Sequence, residues 1–134
     1  MTATAEFRSS PAIVQVIRDK AKFFRVVYYP VVFYSAILNR ELVAPIGFET
    51  DFASIPQFLK DRIEVNGKHR EAAIIHDYLC IHHLALGLSQ YQSDLVFREA
   101  MQVLGESQWR IVLMYNGVKL YQKFQCWKTG EAYK

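Results

Sequence analysis

Three motifs place ionisable side chains where a folded core wants apolar ones. Asp51 lies in Glu49-Thr50-Asp51-Phe52-Ala53-Ser54-Ile55-Pro56. The doublet His76-Asp77 lies in Ala72-Ala73-Ile74-Ile75-His76-Asp77-Tyr78-Leu79, and Asp94 in Ser93-Asp94-Leu95-Val96-Phe97. A buried ionisable group is costly unless it is paired, hydrogen-bonded or bound to a metal. Three such positions in a chain of 134 residues point to one shared site. One imidazole with two carboxylates is a hard-to-borderline ligand set, suited to Zn, Mn, Fe or Ni. Water would fill the open positions, and a divalent ion makes hydroxide available from it near neutral pH. The chemistry expected is metal-assisted hydrolysis, with Zn or Mn held by Asp51, His76 and Asp94. Asp77, Asp51 and Ser54 are the expected catalytic residues, Asp77 orienting the ligand or acting as general base.

Taken singly, each residue has an ordinary structural explanation. A histidine on an apolar helix face often bonds a backbone carbonyl. Asp51 could cap a following helix, and Asp94 could pair with Arg98 or Arg70. Jointly these explanations weaken, because three inward polar groups each need a partner and one another is the cheapest answer. A second cluster, Cys80-x-His82-His83, has zinc-binding atoms but no second pair at finger spacing.

The elements that must position these groups follow from the patterning. Residues 1–11 read as a polar tail. Residues 12–18, 23–29, 31–38 and 41–48 are rich in Val, Ile, Phe and Tyr, as strands prefer. They predict an antiparallel sheet of three to four strands. Ser54 can cap a short helix with Pro56 in its first turn, and Asn66-Gly67 marks a turn. Longer helices are expected over 68–82, 89–104 and 107–124, with Ser89 as a cap and Gly105 as a stop. Strands followed by three to four helices predict an α+β fold, as one domain over 12–127 with a tail at 128–134. On these helices Asp94 lines up with Phe97, Met101 and Leu104, with Gln92, Glu99 and Gln102 on the opposite, polar face. The 68–82 helix is apolar nearly all round from Ala72 to Ile81, so it should be central and buried.

Composition narrows the function classes. A chain that is 51% hydrophobic and 22% charged can bury a core without staples, so any metal would serve function more than folding. The cysteines Cys80 and Cys126 make no disulfide framework, and reduced thiols are expected. The net charge of +3 is mild. Lysines interleave with aromatics near the C-terminus, but a solvated helix face accounts for them and nucleic acid is not expected. No signal peptide and no membrane-spanning stretch are expected, so no membrane partner is expected either, and a cytoplasm is the default.

The motifs also resemble domain-of-unknown-function family 1353. The run from Ala44 to Pro56 is similar to that family's VPxGFxTDFASIP signature, residues 72–79 to its AAxxHDYL, and residues 93–101 to its ADxxFxxAM. The stretch Tyr115-Asn116-Gly117-Val118-Lys119-Leu120-Tyr121 resembles its closing helix. The resemblance implies a small α+β domain in a phage or prophage setting, hence a host cytoplasm or a virion, and carries no established activity. It points to Thr50, Asp51, Ser54, His76, Asp77 and Asp94. Two function classes follow. One is a small phage-encoded metal-dependent hydrolase acting on peptidoglycan or a phosphoester. The other is a phage virion, tail or host-interaction protein, partnered by phage structural or host proteins, whose polar cluster fixes the fold.

Overall fold

The computed structural model describes residues 3–52 and 69–134. Within them six strands precede three helices, the order an α+β fold requires. The strands are β1 (Glu6–Phe7), β2 (Ala12–Arg18), β3 (Ala21–Val27), β4 (Val31–Ser35), β5 (Arg40–Ala44) and β6 (Glu49–Thr50). The helices are α1 (Arg70–Leu86), α2 (Gln90–Val103) and α3 (Gln108–Thr129). The expected helix from Ser54 and the turn at Asn66-Gly67 lie outside the described residues.

The strands form two antiparallel three-stranded sheets where the sequence predicts one. Their orders are β1-β4-β5 and β2-β3-β6. A tight hairpin joins β2 to β3 through Asp19 and Lys20, both with positive φ, as its right-handed twist demands. Residues 6–9, expected to be tail, are tied to β4. Glu6 and Phe7 pair with Tyr34 and Phe33, and the Ser9 hydroxyl donates to the Pro30 carbonyl at 2.7 Å. Both sheets point alternate residues inward: Phe24 and Val26 from β3, Val31 and Phe33 from β4, Leu42 and Ala44 from β5.

Helix α1 is the central element. Six consecutive residues, Ala72 to Asp77, are buried, which explains why its sequence lacks a polar face there. It ends in a Schellman turn: Gly87 takes the left-handed conformation, and the Leu88 N–H donates to the His83 carbonyl at 2.8 Å. Helix α2 opens on a full capping box between Ser89 and Gln92. It packs on α1 and α3 along one side and on β1 and β4 along the other. That second contact corrects the expected polar face. Glu99 is buried and accepts from the Ser35 hydroxyl at 2.6 Å and from the Ala36 and Ile37 amides at 3.0 Å each. A carboxylate with three donors there closes the turn after β4 and fastens it to α2. Val96, Phe97, Ala100 and Met101 of α2 meet Ile74, Ile75 and Leu79 of α1 and Met114 and Val118 of α3 in the core.

Candidate metal centre

Helix geometry delivers the first pair. His76 and Cys80 sit one turn apart on α1 and so share a face. Asp94 arrives from the second turn of α2, on the side packed against α1. His76 and Asp94 are both 0% exposed. His76 Nε2 lies 2.7 Å from Asp94 Oδ1 and 3.5 Å from Cys80 Sγ. The three candidate ligand atoms all lie within 4.8 Å of one another.

Two further side chains complete the network. The Gln122 amide of α3 donates to Cys80 Sγ at 2.9 Å. The Tyr133 hydroxyl donates to Asp94 Oδ2 at 2.5 Å, so the segment after α3 folds back over α2. Tyr133 also stacks edge-on against Tyr91, and the Tyr91 N–H donates to the Lys134 carbonyl at 2.7 Å. Burial by itself would lower the His76 pKa. The charge of Cys80 and the hydrogen bond and charge of Asp94 outweigh it and raise the pKa to about 10. Burial, and then the bond to Asp94, push the Tyr133 hydroxyl upward and keep it a donor.

Asp77 and Asp51 occupy a neighbouring position. Asp77 is buried, and its Oδ2 accepts from the Thr50 hydroxyl, which in turn accepts from the Phe52 amide at 2.9 Å. This joins β6 to α1. Phe52 has a φ of 59°, a left-handed backbone rare for an aromatic residue, held by complete burial and stacking on Phe24. Thr50 and Phe52 face inward, so Asp51 between them faces out and is exposed. A cleft of about 400 Å³ opens there, lined by Thr50, Asp51, Asp77, Cys80, Tyr121 and Gln122 among others. That volume suits a small molecule or one monomer of a polymer.

The structure therefore brings together two of the three expected metal ligands, His76 and Asp94. Asp51 stands outside that group, on the cleft wall beside Asp77, and Cys80 takes the third place. Ser54 lies outside the described residues. Cys80 does not join His82 and His83 as a cluster. The His82 ring packs on Tyr78 at 4.4 Å, and His83 Nδ1 bonds the Cys80 carbonyl at 2.9 Å. The His76-x-x-x-Cys80 spacing was the signal available for the observed pair.

A nitrogen, a sulfur and an oxygen donor fit a tetrahedral ion of borderline softness, and the sulfur favours Zn over Mn. Tetrahedral zinc separates a nitrogen and an oxygen ligand by about 3.3 Å, so the His76–Asp94 contact would open by about 0.6 Å on loading. The nitrogen–sulfur spacing of 3.5 Å fits, and the widest pair, within 4.8 Å, would close by up to about 1.2 Å. A Cys–His–Asp proton relay does not fit, because it needs opposite ring nitrogens for thiol and carboxylate, and Nε2 faces both.

Comparison with the curated proteins and with the solved structures returns no significant match. The family described as "Protein of unknown function (DUF1353)" matches residues 26–118. That stretch holds Asp51, His76, Asp77, Cys80 and Asp94 and ends before Gln122 and Tyr133. With more than half its length matched, from β3 into α3, the chain belongs to the DUF1353 family.

Proposed function

We propose that the chain is a small metal-dependent hydrolase, working in the phage setting that the motif resemblance implies. His76, Cys80 and Asp94 would hold one zinc ion, and the adjoining cleft would take the substrate. One observation carries this reading: three ligand atoms lie within 4.8 Å of one another, and one of their residues, Cys80, also lines a cleft with Asp51 and Asp77. A divalent ion held there by His76, Cys80 and Asp94 would supply a polarised bond and an acidified water. Asp77, held by Thr50, serves as the base, and Asp51 on the cleft wall orients the substrate. Peptidoglycan and phosphoesters are the substrates proposed. The test is turnover of each by zinc-loaded protein. Asp77→Asn should keep the metal and lose activity by about a hundredfold or more. Turnover of neither substrate by metal-loaded protein would sink the hydrolase.

A second reading has its own support. Both Asp94 oxygens and the Cys80 sulfur have partners within the chain, as a buried network that fixes the fold would require. The protein would then be a virion, tail or host-interaction component without turnover. A chain that binds no zinc yet loses much of its stability in His76→Ala would favour this alternative.

A further inference from the structure

Helix α3 is apolar on two opposite sides. Ile111, Met114, Tyr115, Val118 and Cys126 face the core. At 3.6 residues per turn, Trp109, Leu113, Leu120, Phe124 and Trp127 fall within an arc of about 60° on the far side. They are between 43% and 77% exposed. The stripe runs about 27 Å, from a tryptophan at one end to a tryptophan at the other. Scattered exposed hydrophobes need no explanation, but five on one helix face, interrupted only at Asn116 and Gly117, do.

The charges on the helix beside the stripe are all of one sign, and of its cations Arg110 is paired with Glu106, just before the helix, at 3.5 Å. Helix α3 carries Arg110, Lys119, Lys123 and Lys128 and no Asp or Glu. Arg110 and Lys128 fall on one flank, Lys119 and Lys123 on the other. The Arg110 guanidinium lies over the Trp109 ring, 5.2 Å from its centroid, and the Lys128 ammonium over Phe124 at 5.6 Å, so each of these cations sits on an aromatic of the stripe. A second copy paired along this helix would set two rows of cations against each other, and the helix itself supplies no acidic partner. Nucleic acid matches the charge, but Leu113 and Leu120 at the centre of the stripe offer no ring for a base to stack on. An aromatic and aliphatic face between basic flanks fits the headgroup–acyl boundary of an anionic bilayer.

We propose that the outer face of α3 docks the protein onto an anionic lipid bilayer surface, lying in the interface without crossing it. No described helix is long and apolar enough to cross a membrane. The expectation of no membrane partner rested on spanning length, which does not bear on a helix lying flat. The docking does not depend on the hydrolase reading.

The chain's two tryptophans, Trp109 and Trp127, both sit on this face, so intrinsic fluorescence reports it directly. The full chain should show a blue shift and co-float with vesicles of phosphatidylglycerol and phosphatidylethanolamine. It should respond far less to phosphatidylcholine alone, and salt should weaken the binding. Leu120→Glu should keep the circular dichroism spectrum, since Leu120 is 66% exposed, and lower vesicle partition at least about tenfold. Lys123→Gln with Lys128→Gln should weaken binding to anionic vesicles only. No shift with anionic vesicles, or an equal response to neutral ones, would overturn the proposal. So would a shift driven by single-stranded DNA and not by vesicles. A doubled mass with tryptophan emission already shifted in dilute protein would assign the face to a second copy instead.

Discussion

Replacing Tyr133 by Phe removes one oxygen and leaves the packing against Tyr91 in place. In the native chain that hydroxyl donates to Asp94 Oδ2, and Asp94 is wholly buried. A hydrogen bond to a buried charged acceptor is worth about 1.5–3 kcal/mol. For a chain of 134 residues, unfolding entropy converts each kcal/mol into a shift of about 3.5 °C in melting temperature. Tyr133→Phe should therefore melt about 5–10 °C below wild type, with the same far-ultraviolet spectrum. Thermal melts of metal-free protein at one concentration measure this. If the two proteins melt within about 1 °C of each other, Tyr133 does not satisfy Asp94 and the network lacks its outer member.

Glu99→Ala strands three donors, the Ser35 hydroxyl and the Ala36 and Ile37 amides. It should cost about 2 kcal/mol or more, seen as a melting temperature lower by about 7 °C or more. The pH response of metal-free protein should carry the His76 signature. Its pKa rises from 6.5 unfolded to about 10 folded, so its contribution is complete below the first value and lost as pH climbs through the second. Denaturant titrations between pH 6 and 10 should show that decline in wild type, and a flatter profile in His76→Gln. Zinc must displace the His76 proton, so zinc affinity should rise with pH over the same window, read by competition with a colorimetric chelator.

The pairing of His76 with Asp94 was legible because each sits in an apolar helical row, and two inward polar groups on neighbouring helices tend to meet. Asp51 was misplaced because motif membership was taken as inwardness. The period of two at the end of β6 sends Thr50 and Phe52 in and Asp51 out. Gln122 had a readable signal, a lone amide in the inward row of Met114, Val118 and Cys126. Tyr133 had none, since a segment folding back 39 residues to Asp94 leaves no periodic trace. The strand segments were visible in composition, but their division into two sheets depends on long-range pairing, such as β1 with β4 across Phe7 and Phe33. Glu99 broke the amphipathic rule because α2 packs on both sides, against helices and against β4.

The most direct test of the central claim is zinc content per chain after purification without chelator and dialysis against a zinc-buffered solution. The expected result is about one zinc per chain, reduced at least tenfold in His76→Ala, Cys80→Ser and Asp94→Asn and unchanged in Asp51→Asn. Wild-type protein that takes up no zinc, or holds it equally well without Cys80 and His76, would contradict the metal centre.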